Sequence, residues 1–213
     1  MPVNGSGAPI VASVDLPAGM SAGFSRAPVV AWDIETSGLD WRSDVIGTCQ
    51  LFAEGVGAAV ISVAAGSVPV RLAALLEDPA VVKVFHHAPF DLRFMTHTWG
   101  VDAASVRCTK VASKLLDPHG PNEMHSLQSL LARYLGVHLD KGPVRTSDWS
   151  APVLSAEQVE YAAGDVIHLP KLLQAMQARL EALGLAGLYD RCCEFLPSRV
   201  GLELGGFPDV FAY

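Results

Sequence analysis

One stretch, Val29-Val-Ala-Trp-Asp-Ile-Glu-Thr-Ser-Gly-Leu39, constrains this chain more than any other. It opens with four apolar residues, as a strand buried on both faces requires. Asp33 and Glu35 follow with one residue between them, so on a strand they project from the same face. Two carboxylates that close raise each other's pKa unless a cation stands between them. Hard divalent ions such as Mg2+ or Mn2+ are the usual partners of oxygen-only ligand sets. Ser37-Gly38 then turns the chain out of the strand. Taken alone, a strand end with two solvated acids explains the same residues. The choice between the two readings depends on what the rest of the chain brings to this strand end.

The chain has 213 residues, half of them apolar, enough for one substantial α/β domain with a core. No apolar run approaches a membrane span. The N-terminus lacks the basic, apolar and small-residue pattern of a secretory leader, so no signal peptide is expected. Cys49, Cys108, Cys192 and Cys193 form no C-x-x-C pair. They read as reduced thiols in a cytoplasmic protein, without a zinc site. The net charge of −7 argues against coating long nucleic acid, which takes many Lys and Arg. It is compatible with short phosphodiester substrates held in a pocket and neutralised by metal ions.

Residues 1–27, rich in Gly, Ala, Ser and Pro, are expected to form a flexible arm with a short strand near residues 10–14. Strands are predicted at 29–34, 46–52, 57–63, 81–85 and 106–109, with the 57–63 strand antiparallel to its neighbours because the connections are short. Helices are predicted at 71–77, from Pro89 to about residue 98, at 111–116 and at 125–135, the last ending at Gly136. Residues 141–150 read as a polar loop. Ser155 caps a long helix reaching about residue 183, kinked at Pro170, and a last helical region covers 188–199. Tyr161 and Asp165, four apart, share one helical face. Asp91 lies near a helix start, where the dipole alone favours an acid. Strands first, then strands alternating with helices, suggest a mixed central sheet flanked by helices in an α/β fold.

The order Asp33-x-Glu35 on a strand, His86-x-x-x-x-Asp91 at a helix start and Tyr161-x-x-x-Asp165 on a late helix resembles the RNase D branch of the DnaQ-like 3'-5' exonucleases, called DEDDy after four acids and a tyrosine. The string from Ser126-Leu-Gln-Ser-Leu-Leu to Glu160-Tyr-Ala-Ala-Gly-Asp165 is similar to RNase D itself. Phe90-Asp-Leu, His97-Thr-x-Gly-Val, Cys108-Thr-Lys-x-Ala-Ser-Lys-Leu and the tail from Phe195-Leu-Pro-x-Arg199 to Asp209-Val-Phe-Ala-Tyr213 are similar to nano-RNase C. The sequence departs from that pattern at His87 and at Pro89.

The resemblance implies an RNase H-like/DnaQ-like exonuclease fold. It implies a 3'-5' exoribonuclease that hydrolyses short RNA, dinucleotides above all, to nucleoside 5'-monophosphates. Asp33, Glu35, Asp91 and Asp165 would hold two divalent cations (Mg2+ or Mn2+), and Tyr161 would orient the attacking water. Thr36, Leu39 and His86 would meet the 3' nucleotide, with Leu39 as an apolar wedge. Trp149, Lys141 and Arg145 are candidates for the 5' side, although buried packing explains Trp149 equally well and a solvated surface is the commoner reading of the two cations. The resemblance also implies a homo-octamer, with the tail 201–213, including Phe207, Phe211 and Tyr213, at a subunit interface. Residues 28–200 would be the exonuclease domain. Two other readings remain: a 3'-5' DNA exonuclease acting in repair or proofreading in trans, and a non-catalytic nucleic-acid-binding module. The first shares the same acids, and the second leaves the full set of acids and tyrosine without a purpose.

Overall fold

The computed structural model describes residues 8–139, 142, 144, 147–151 and 153–212. Among them a six-stranded mixed sheet runs in the order β1-β4-β3-β2-β5-β6. The strands are β1 (Ile10–Ser13), β2 (Val29–Thr36), β3 (Ile46–Ala53), β4 (Gly57–Ser62), β5 (Val82–Phe85) and β6 (Val106–Cys108). β2, β3 and β4 form an antiparallel meander, because two tight connections allow nothing else. β5 and β6 are reached through helices and lie parallel to β2 and to each other. β2 is therefore where the chain switches from one side of the sheet to the other. In open sheets of this kind ligands gather outside the carboxyl ends of such strands.

The helices are α1 (Ala18–Phe24), α2 (Val70–Glu77), α3 (Ala88–Trp99), α4 (Thr109–Leu116), α5 (Leu127–Leu135), α6 (Ala156–Ile167), α7 (Leu169–Ala182), α8 (Ala186–Glu194) and α9 (Leu196–Leu204), with a 3-10 turn at Asn122–His125. The main core gathers Trp32, Phe85, Leu92, Phe94, Leu173 and Met176; Trp32 stacks on Phe85 with centroids 6.2 Å apart. A smaller cluster of Val60, Trp149, Ala162 and Ala163 lies where α6 packs over β2, β3 and β4. The alanines let that helix approach the sheet closely.

Several elements depart from the sequence-based expectation. The short strand expected near residues 10–14 is present as β1 at the sheet edge, but the segment after it also forms α1 on the sheet's flank, with Leu16 and Phe24 fully buried. β4 is antiparallel to β3, as expected, but parallel to β1, because α1 and two strands intervene between them. The long helix with a kink is two helices, α6 and α7, that break at His168. Pro170 has no N–H to offer the Val166 carbonyl, yet it costs nothing in the first turn of a new helix. Pro197 divides α8 from α9 in the same way. α9 then continues to Leu204, into residues assigned above to the tail.

One core residue is out of character. Lys83 of β5 is completely buried, and its ammonium donates to the Asp78 carbonyl at 2.5 Å. Burial lowers its pKa from 10.5 to about 8. Because the folded value lies below the free one, the unfolded chain holds more protons between those pH values, and native stability rises with pH across that window. Lys83→Met should therefore raise the melting temperature by a few degrees at pH 7. The advantage over the parent should shrink between pH 8 and 10.5; paired melting curves at pH 7 and pH 10 check it.

Candidate active site

β2 runs on to Thr36, so both Asp33 and Glu35 lie within the strand. Asp33 pairs across to Gln50 and Glu35 to Thr48, and directly opposed residues leave a sheet on the same face. One residue later the register slips: Thr36 pairs with Ile46 and Gly47 is the extra residue. Such a bulge bends the strand and re-aims the side chains around it. Gly47 is demanded by packing as well. A Cβ there would collide with the backbone carbonyl of Trp149.

α6 crosses the face that carries the acids. A complete capping box fixes its start: Ser155 accepts from the Gln158 amide, and the Gln158 side chain accepts from the Ser155 amide. Gln158 also donates to Ser147 and to the Asp148 carbonyl, both at 3.0 Å, tying the preceding loop to the helix. One turn further on, Tyr161 tilts against Trp149 with ring centroids 5.8 Å apart. One turn beyond that, Asp165 meets the strand. Carboxylate oxygens of Asp33, Glu35 and Asp165 lie within 4.8 Å of one another. The Tyr161 hydroxyl hydrogen-bonds Asp165.

Asp91 approaches from the other side. It sits in the first turn of α3, is buried, and accepts from the Ile34 amide at 3.2 Å. Burial raises its pKa well above the ordinary carboxylate value, and the neighbouring Glu35 charge adds to the effect. Three of the four expected acids thus share one cradle, and Asp91 borders it through the backbone between Asp33 and Glu35.

The remaining sequence candidates divide. Leu39 is 81 % exposed at the tip of a turn that holds itself: Thr36 Oγ1 donates to the Gly38 carbonyl at 2.6 Å, and Asp44 accepts from the Asp40 amide at 2.9 Å. An apolar side chain is thereby held out into solvent on the turn that follows the strand carrying Asp33 and Glu35. His86 follows β5 directly, and its Nδ1 lies 2.9 Å from Thr109 Oγ1. His87 adopts a left-handed backbone (φ 72°) as the N-cap of α3. Burial, then the charges of Lys110, Arg93 and Arg199, hold its pKa down at about 4, so it is neutral at pH 7. Trp149 is buried, 3 % exposed, so it touches the site through the Tyr161 ring. Lys141, Arg145 and Tyr213 lie outside the described residues. The sequence reading missed Gly47, Gln50 and Thr48. A glycine and two polar residues inside an apolar strand were the available signal.

Three carboxylates this close and partly buried repel one another, and a divalent cation is the ligand that relieves the repulsion. The donor set is all oxygen and suits Mg2+ or Mn2+ rather than zinc. Tyr161 is ill suited to proton abstraction by itself. Burial first, then the charges of Asp165, Glu35 and Asp33, push its pKa far above the usual phenol value.

Residues 10–181 match the family model described as 3'-5' exonuclease. Ribonuclease D of Gluconacetobacter diazotrophicus is 42 % identical over 113 residues, which are 53 % of this chain and 28 % of that protein. The match therefore spans little more than a quarter of that relative's length. A structure described as the apo form of a nuclease superposes with a TM-score of 0.90 at 36 % identity, covering 98 % of this chain and 100 % of the other. Brucella melitensis NrnC bound to pGG gives 0.89 at 35 % identity, with 98 % and 100 % covered, and NrnC with bound Mg2+ gives 0.86 at 35 %, with 96 % and 98 % covered.

Two measurements probe the geometry. Asp165→Asn should raise the melting temperature in EDTA by relieving like-charge repulsion, and should abolish most of the stabilisation that Mg2+ gives the parent, about 2.7 kcal/mol at a hundredfold excess over Kd. Gly47→Ala should cost about 1–3 kcal/mol of stability, read by urea denaturation, because the Trp149 loop must move away.

Proposed function

The chain belongs to the 3'-5' exonuclease family, in its DnaQ-like, RNase D-related branch, and on that premise we propose that it is a 3'-5' exoribonuclease acting on short RNA, dinucleotides in particular. The observation that carries the reading is the convergence of Asp33, Glu35 and Asp165 within 4.8 Å, with Tyr161 bonded to the last of them. A relative 35 % identical over nearly the whole chain binds pGG, which supports a substrate of two nucleotides. The acidic surface and a compact cradle also favour short substrates over long ones.

Asp33, Glu35, Asp91 and Asp165 would hold two divalent cations, Mg2+ or Mn2+. Such ions supply charge neutralisation at the phosphodiester and a lowered pKa for the attacking water. Tyr161 orients that water through its hydroxyl; a phenol at its ordinary pKa of about 10 is already a poor base at neutral pH, which leaves geometry as its contribution. Leu39, held out on its turn, wedges against the base of the 3' nucleotide, and Thr36 and His86 border the same nucleotide. Trp149 buttresses Tyr161 through the contact between their rings. The products are nucleoside 5'-monophosphates.

Residues 28–200 form the catalytic unit in this reading, with residues 8–27 completing the sheet edge through β1. Phe207 and Phe211 are exposed near the C-terminus, and Phe211 packs edge-on against Phe195 at 5.6 Å. Apolar rings so placed suit a subunit contact. We assign residues 201–213 to such a contact, in an octamer like that implied by the nano-RNase C resemblance. Among the described residues no helix is long and apolar enough to cross a membrane, and the four cysteines are free thiols, which suits the reducing cytoplasm.

Turnover of a diribonucleotide, a longer RNA and a matched DNA, with Mg2+, with Mn2+ and with EDTA, tests the assignment. The diribonucleotide should be cleaved fastest, and EDTA should stop all cleavage. Preferential cleavage of DNA would transfer the site to a DNA exonuclease. Tyr161→Phe should lose about 100-fold or more in kcat while keeping the Mg2+-induced rise in melting temperature.

A further inference from the structure

Beneath the acids lies a polar floor with no assigned purpose. Gln50 and Thr48 on β3 are both completely buried. Neither amide atom of Gln50, nor the Thr48 hydroxyl, has a hydrogen-bond partner among the described residues. A buried polar group left unpaired costs about 1–3 kcal/mol. A leucine and a valine would fill the same spaces without that cost. On its other side Gln50 pairs with Val60, which packs against Ala162 and Ala163, whereas Thr48 pairs with Ser62, to which its hydroxyl makes no hydrogen bond. Among the described residues, the ionic groups that the strand register brings alongside are Asp33, opposite Gln50, and Glu35, opposite Thr48.

We infer that Gln50 is a positioning residue for Asp33, and Thr48 for Glu35, in the cation-bound site. Opposed Cβ atoms lie about 4.5–5.5 Å apart, so a glutamine amide reaches the carboxylate of its cross-strand partner. Each carboxylate has about four lone-pair sites, and ligation of a cation leaves some of them free. The Gln50 amide N–H and the Thr48 O–H donate to those free sites. They thereby turn the opposite lone pairs toward the ion, as partners outside the ligand shell do in metal centres generally. No proton is transferred, and neither residue touches the substrate. The inference rests on the reading of this site as a divalent-cation centre.

Gln50→Leu and Thr48→Val remove the donors and keep the volume. The test follows the Mg2+ concentration giving half of the melting-temperature rise, alongside the Mg2+ dependence of diribonucleotide cleavage. Gln50→Leu is expected to melt at or above the parent in EDTA, because a costly amide is gone. Its Mg2+ midpoint should rise about 10-fold or more in both measurements, with Thr48→Val moving the same way. Gln50→Asn, which keeps a shorter donor, should recover part of the shift. A Gln50→Leu midpoint within twofold of the parent overturns the inference, as does Gln50→Asn falling no closer to the parent than Gln50→Leu. If Gln50→Leu does not fold, Gln50→Met replaces it with the same two outcomes. A parent that neither cleaves RNA nor responds to Mg2+ would instead overturn the cation-centre reading itself.

Discussion

Mutual repulsion among Asp33, Glu35 and Asp165 is the constraint that the rest of the structure answers to. Oxygens within 4.8 Å of one another, in surroundings that also bury Asp91, do not stay together by their own attraction. They are held there by packing that surrounds them. Trp32 sits at full burial between the two acids' strand and Phe85, anchoring β2 from its other face. α6 is clamped over the sheet by alanines and by its capping box. The stability of the core is thus set against electrostatic strain at one strand end, a common arrangement where a protein must bind cations.

The clamp is built in stages. The bulge at Gly47 lets the Trp149 loop press on β3, and Gln158 ties that loop to the helix that carries Tyr161 and Asp165. On the opposite flank, α3 packs against α9, and Arg93 and Arg199 both pair with Glu203. That contact steadies the helix whose first turn presents Asp91. Exposed ion pairs contribute little on their own. Here Arg93 reaches across from α3 to Glu203 of α9, and Arg199 pairs with the same half-buried carboxylate from one turn away on α9 itself.

The site is polar beneath as well as above. Most of the apolar face under α6 is Val60 and alanine, yet the positions directly across from the acids are Gln50 and Thr48. Leu39 and its self-bonded turn supply the opposite quality, an apolar group fixed in solvent. Ordered polar groups inside and an ordered apolar group outside invert the usual distribution. Both departures lie within a few residues of the same strand end.

The amino-acid order by itself determined the strand that carries Asp33 and Glu35, because alternation and β-branching are local. It determined the i,i+4 pairing of Tyr161 with Asp165 for the same reason. Most element positions were legible to within a residue or two, and so was the stop at Gly136, whose left-handed φ suits glycine. Family resemblance linked acids far apart in sequence, which periodicity could not do. Tertiary structure alone decided that Asp91 meets the site through the Ile34 amide, that β1 runs parallel to β4, that Trp149 is buried and that one helix is two. These outcomes depend on which surfaces meet after collapse. The same condition governs Gln50 and Thr48: a polar residue in a strand has meaning only once the strand beside it, and the helix above it, are known.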